Sequence, residues 1–144
     1  MNTQNQEQAT LESTNVALVK QAYAALGKGD IPTFMSLLAD DVVWDMPHPR
    51  EIVPFGGKWH GHEELKKFLE AMHDYTQMKQ VKLDEFIAQN DKVVVIGYVK
   101  VLAKPLNREY ENELVAVWTI ENGKIKQMKD FMDTVQAVSA FQGD

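Results

Sequence analysis

Glu121-Asn122-Gly123-Lys124 stands between two long, apolar-rich segments, and no other stretch restricts the fold as strongly. A two-residue hairpin turn needs positive φ at both central positions, which Asn and Gly tolerate best. The motif therefore predicts that Arg108–Ile120 and a strand from Ile125 to about Asp133 are antiparallel neighbours, with Ile120 opposite Ile125. Unbroken alternation outward from that pair puts Leu114, Trp118, Ile120, Ile125 and Phe131 on one face. Val115, Val117, Met128, Asp130 and Met132 fall on the other. The same register sets Asn112 across from Asp133, as a structural cross-strand hydrogen bond. Both faces are largely apolar, and the three short helices expected upstream cannot cover both. A second copy of the chain is expected on the outer face, the one with Leu114, Trp118, Ile120 and Phe131, making a homodimer.

Upstream of the hairpin the pattern is helical first and extended later. Residues 1–10 read as a disordered polar lead, and residues 11–144 as a single domain. Val16, Val19, Tyr23 and Leu26 recur at helical spacing, with Ser13 or Thr14 placed to cap and Gly27 and Gly29 to stop. Asp30 caps a short second helix with Pro32 in its first turn. Val42–Met46 reads as a strand, the Pro- and Gly-rich stretch from Pro47 to Gly57 as a loop, and His62–Tyr75 as a third helix. Strands follow over Lys79–Gln89, with a bulge at Glu85-Phe86, and over Lys92–Ala103. Thr134 caps a short final helix. Helices followed by meandering strands make the fold class α+β.

Composition removes several functions. With no cysteine there is no disulfide, thiolate metal site or cysteine nucleophile. A formal charge of −6 without basic clusters argues against nucleic acid or an anionic membrane as partner. The first ten residues lack the apolar core of a signal peptide, and a cytoplasmic location is expected. His48, His60, His62 and His73 raise a metal reading, but His60-Gly61-His62 has no third ligand at fixed spacing, so no metal is expected.

A set of short motifs then carries a family likeness. Gly29-Asp30 precedes Leu37-Leu38-Ala39-Asp40-Asp41-Val42-Val43-Trp44, and Pro54-Phe55-Gly56-Gly57 leads into Trp59-His60-Gly61-His62-Glu63. Tyr110-Glu111-Asn112, Asn122-Gly123-Lys124-Ile125 and Asp130-Phe131-Met132-Asp133-Thr134 complete it. Over residues 13–138 the chain resembles the SnoaL-like branch of the nuclear transport factor 2-like superfamily, which includes ketosteroid isomerase. The resemblance implies a cone: a curved, mostly antiparallel sheet wrapped around three helices, an apolar pocket inside and a homodimer. Ketosteroid isomerase works with a carboxylate base, a Tyr and a protonated Asp. Those positions fall here on Met46, Ala22 and near Ala116, so that mechanism is not expected. Asp45 and Tyr23 stand one residue away from the first two. The similar limonene epoxide hydrolases use an Asp-Arg-Asp set. Its last Asp matches Asp130, whereas the other two positions are Tyr98 and Lys100.

Asp130 among apolar neighbours is the candidate acid/base, because desolvation lifts a carboxyl toward the useful range. Tyr98 and Lys100 alternate with Val94 and Ile96, so these four share a face. If it is the pocket face, Tyr98 polarises the substrate and Lys100 pairs with Asp130. His60 is the other candidate polariser, at the pocket mouth. Trp44, Met46, Phe55, Trp59, Phe68, Met72, Val117 and Met132 are the expected walls. The resulting expectation is a cofactor-independent isomerase, cyclase or dehydratase for a lipophilic or polyketide-like carbonyl compound. The alternative is a non-catalytic protein binding a small lipophilic ligand in the same pocket.

Overall fold

In a computed structural model, residues 3–143 are described, and among them one six-stranded sheet carries four helices. Helix α1 spans Thr3–Lys28 and α2 Ile31–Ser36. Strand β1 (Leu38–Met46) leads through a loop to β2 (Gly57–His60), and α3 (Gly61–Tyr75) follows. Strands β3 (Thr76–Gln89), β4 (Lys92–Ala103), β5 (Arg108–Glu121) and β6 (Lys124–Met132) form the meander, closed by α4 (Thr134–Gln142). The order is β2-β1-β6-β5-β4-β3, antiparallel except for β1 beside β6. This is the expected α+β class. The parallel β1–β6 pair, which no short-range motif specifies, brings the first strand beside the last.

Helix α1 starts at Thr3, within the stretch expected to be a disordered lead. Two contacts tie its first half to the β3–β4 turn: Gln8 Nε2 donates to Asn90 Oδ1 at 2.8 Å, and the Asn90 amide donates to Glu12 Oε2 at 2.7 Å. Asp30 caps α2 as expected, accepting from the Thr33 amide at 3.2 Å. Asp133, not Thr134, caps α4, by accepting from Val135 N–H.

The β5–β6 hairpin turns at Asn122 (φ 53°) and Gly123 (φ 73°), and Ile120 faces Ile125 as the motif predicts. One pair further the ladder slips: Thr119 faces Gln127, which leaves Lys126 as an extra residue. This β-bulge reverses the relation between the strands for every pair beyond it. Ala116 now faces Asp130, Leu114 faces Met132 and Val115 faces Phe131. The face assignment from unbroken alternation is therefore corrected. Leu114, Trp118, Ile120, Ile125 and Met128 are buried on the inner face, with Asp130 and Met132 partly buried beside them. Val115, Val117 and Phe131 share the outer face. Asn112 has Val99 as its strand partner, not Asp133. The bulge expected in β3 is present, between Leu83 and Glu85.

The core inside the curved sheet is an aromatic chain, edge-to-face at every contact but the tilted Trp44–Phe68 pair. Tyr23 to Trp118 is 5.1 Å between centroids, Trp118 to Trp44 5.3 Å, and Trp44 to Phe34 5.5 Å. Phe68 links Trp44 to Trp59 at 6.0 and 5.8 Å. Such pairs add about 0.5–1.5 kcal/mol each beyond area burial.

Candidate functional site

Strand β6 carries Asp130 onto the inner face, across from Ala116 of β5. The residue is partly buried, and desolvation pushes its carboxyl up to about 7. Solvent still reaches this position while burial penalises the charged form. A group titrating there exchanges protons readily at neutral pH.

The sequence sets Tyr23 in an apolar helical stripe, one residue from the position of the isomerase Tyr. The structure sets it on the inner surface of α1, half-buried, with Phe86 edge-on at 6.4 Å. Trp118 Nε1 donates to the Tyr23 hydroxyl at 3.3 Å. The phenol is held well above its usual range, first by burial and then by the negative charge of Asp130, against the opposing hydrogen bond from Trp118. Tyr23 therefore keeps its proton, and its O–H remains a donor in the region of Asp130.

The three isomerase positions are inward and apolar, as their sequence identities imply: Ala22, Met46 and Ala116 are all buried. Asp45 alternates with buried Trp44 and Met46 and so faces the other way.

The other candidates separate. Tyr98 and Lys100 lie on the outer face of β4, across the sheet from Asp130, because the buried residues of that strand are Val93, Val95, Gly97, Val99, Val101 and Ala103. Lys100 pairs with Glu109 at 3.4 Å, not with Asp130. The Tyr98 phenol is raised, by desolvation first and then by its hydrogen bond to Glu111, and Lys82 Nζ sits 5.6 Å from its ring centroid. His60 is exposed at the start of α3, where its backbone amide donates to Glu64 Oε1 at 2.8 Å. The expected walls divide as well. Trp44, Met46, Phe55, Trp59 and Phe68 are buried in the core, and Met72 packs partly buried against it. Met132 is inward, near Asp130, whereas Val117 is on the outer face.

His62 Nε2 lies 3.3 and 3.2 Å from the Leu38 and Ala39 carbonyl oxygens, in line with a structural hydrogen bond. Among the described residues no three His, Asp or Glu side chains gather as metal ligands. An open cleft of about 450 Å³ lies at the other end of β1, bordered by Ser36, Asp41, His62 and Lys124, without Asp130. No described helix is long and apolar enough to cross a membrane.

The loop after β1 is fixed more firmly than its Pro and Gly content implies. Arg50 donates to the Gly56 carbonyl from Nε at 2.6 Å and to the Lys58 carbonyl from Nη2 at 2.7 Å. Its guanidinium stacks over Trp59 at 3.8 Å, and Trp59 Nε1 donates to the Phe55 carbonyl at 3.1 Å. A Cβ on Gly56 would sit 2.3 Å from the His48 carbonyl oxygen, so only glycine permits this approach.

The SnoaL-like domain family matches residues 19–128. No protein of curated function matches the chain. An NTF2-like protein of unknown function from Burkholderia pseudomallei is 30% identical, covering 90% of this chain and 98% of its own, with a TM-score of 0.82. An NTF2-like protein from Burkholderia xenovorans is 28% identical over 90% and 97% of the two chains, with a TM-score of 0.83. TerC, co-crystallized with polyporic acid, is 29% identical over 90% and 99%, with a TM-score of 0.80. With the cone of sheet and helices, the parallel β1–β6 pair and a family match spanning most of its length, the chain belongs to the SnoaL-like domain family of the NTF2-like superfamily.

Proposed function

We propose that the protein is a cofactor-independent acid/base enzyme acting on a small carbonyl-bearing molecule, with Asp130 as the group that moves the proton. The observation that carries this reading is the Asp130 carboxyl, inward, part-buried and shifted to about 7 by desolvation. Tyr23 takes the polarising role, replacing Tyr98 and His60, which face elsewhere. Its O–H hydrogen-bonds the carbonyl oxygen as negative charge develops there, while Asp130 removes the adjacent proton. Met46, Leu114 and Met132 supply the apolar surround. A structural relative co-crystallized with an organic acid, polyporic acid, supports a small-molecule ligand for this branch.

The test is deuterium exchange at the α-carbon of 2-tetralone in D2O, followed by NMR. Wild-type protein should accelerate exchange and Asp130→Asn should not. Binding of 2-tetralone without any acceleration would favour the non-catalytic binding protein instead.

The outer face supports the homodimer, through Phe131 as first expected but without Leu114, Trp118 and Ile120, which are buried on the inner face. Ile87, Val94 and Val117 form one row across the strands, and Ile96, Val115 and Phe131 the next. Ile87, Val115 and Phe131 are 50%, 38% and 47% exposed, a concentration of apolar surface that a second copy would cover.

A further inference from the structure

His48 is 3% exposed, and neither Nδ1 nor Nε2 has a hydrogen-bond partner among the described residues. Leaving a buried polar atom unmatched is unfavourable, and this ring leaves two. The ring is not loosely placed. Phe55 lies edge-on at 5.4 Å, Gly56 packs against the His48 carbonyl, and Arg50 staples the loop. Buried desolvation lowers its pKa to about 4, so at neutral pH it offers one N–H donor and one bare nitrogen acceptor. The two nitrogens point away from one another, and a hydroxyl answers whichever of them meets the ligand, by accepting from the N–H or donating to the bare nitrogen.

Its position relates it to Asp130. In the parallel β1–β6 pair Trp44 faces Met128 and Asp45 faces Lys129, so continuing the register brings Met46 level with Asp130. His48 follows Met46 by two residues, at most about 7 Å of chain. Solvent reaches the inner face along Asp130 and Met132, both part-buried. A second orphan lies in the same region: Asn112 Nδ2 is buried on β5, two residues beyond Leu114, which faces Met132. Helix α4 packs on β5 and reaches Phe55 through Phe141 at 5.8 Å, so it roofs the region that holds both orphans.

We infer that His48 is a specificity-determining contact for the far end of the ligand: it binds a hydroxyl on an elongated carbonyl compound whose carbonyl lies at Asp130. This rests on the proposed acid/base site and narrows its substrate class to hydroxylated ketones.

The test compares 6-hydroxy-2-tetralone with 2-tetralone, which lacks the distal hydroxyl. Wild-type protein should bind the hydroxylated ketone about tenfold more tightly. His48→Phe should remove that preference while still binding 2-tetralone, and His48→Gln, with a donor and an acceptor, should restore part of it. In wild type, 6-hydroxy-2-tetralone should shift the His48 ring ¹⁵N resonances and 2-tetralone should not, a measurement that needs no variant to fold. Equal wild-type affinity for the two ketones, including no binding of either, overturns the inference. So does a preference retained in His48→Phe, or ring nitrogens indifferent to the hydroxyl, as expected if ordered water alone satisfies them. A hydroxyl preference without any α-proton exchange would sink the acid/base reading and leave the His48 contact standing.

Discussion

Trp118 Nε1 donates to the Tyr23 hydroxyl across 3.3 Å while the two rings meet edge-on, 5.1 Å between centroids. The same hydroxyl feels the charge of Asp130. One side chain of α1 thus joins the buried aromatic chain to the titrating group of β6. Tyr23→Phe keeps the ring and deletes that junction. It leaves the Trp118 N–H without its acceptor and should cost about 1 kcal/mol, measured by urea denaturation. If Tyr23 polarises the substrate, α-proton exchange should also slow by about 10²-fold with little change in affinity.

Asp130→Asn separates stability from activity by pH. Burial raises the folded carboxyl to about 7, whereas the unfolded one titrates near its ordinary value of 3.8. Between those values the native state holds a proton that the unfolded chain has released, so wild-type stability from this group falls as pH rises. The maximum slope is about 1.4 kcal/mol per pH unit. The variant lacks this loss. Its stability relative to wild type should grow from pH 4 to pH 7 and then level, by urea denaturation at fixed salt.

His48 produces the opposite slope. Its folded pKa of about 4 lies below the ordinary 6.5, so the unfolded chain binds the proton first as pH falls. Stability from the neutral ring is present above 6.5 and is lost down to about pH 4, a total near 3 kcal/mol. His48→Phe should be less acid-sensitive than wild type in the same denaturation series. A variant with an unchanged acid limb would show that the ring is not kept neutral by burial.

Phe131→Glu addresses assembly. It places a charge at the β6 end of the outer row, beside Val115. If two copies meet there, sedimentation should show a dimer for wild type and a folded monomer for the variant. Trp118→Glu, the variant that the uncorrected face assignment would suggest, is a different experiment. Trp118 is buried against Tyr23 and Trp44, so the charge would unfold the protein and not merely split a dimer.

Gly56→Ala should destabilise by at least about 1–3 kcal/mol, the usual cost of overpacking, because its Cβ would meet a backbone carbonyl and not a flexible side chain. The loss should appear as a lower denaturation midpoint with an unchanged m-value.

The legible parts of the fold are those written in short-range chemistry. Asn122-Gly123 specifies its turn and the Ile120–Ile125 pair, Asp30 specifies its cap, and Asp130 is identified as inward by its apolar neighbours Met128 and Met132. What the sequence hides is long-range. Nothing near Asn90 announces that Glu12 and Gln8 will bind it, so the first helical turns read as a polar lead. Tyr98 sits in a strand of nearly uniform apolar residues, where period alone does not reveal which alternate set faces the core. His48 looks like a loop residue between two prolines until Gly56, Arg50 and Phe55 enclose it.

The extra residue at Lys126 works as a parity bit for the rest of β6. Lys126 lies well away from Asp130 along the strand, yet its presence decides whether odd or even positions look inward. A regular ladder through the same residues would turn Asp130 to the outside and bring Lys129 and Phe131 in, whereas deleting Lys126 would leave Gln127 opposite Thr119 and Asp130 opposite Ala116. The inward address of the carboxyl is therefore held by a backbone irregularity and not by any side chain near it. A relative without the extra residue would present the same faces, so two such chains aligned without a one-residue gap would have their inward and outward positions exchanged.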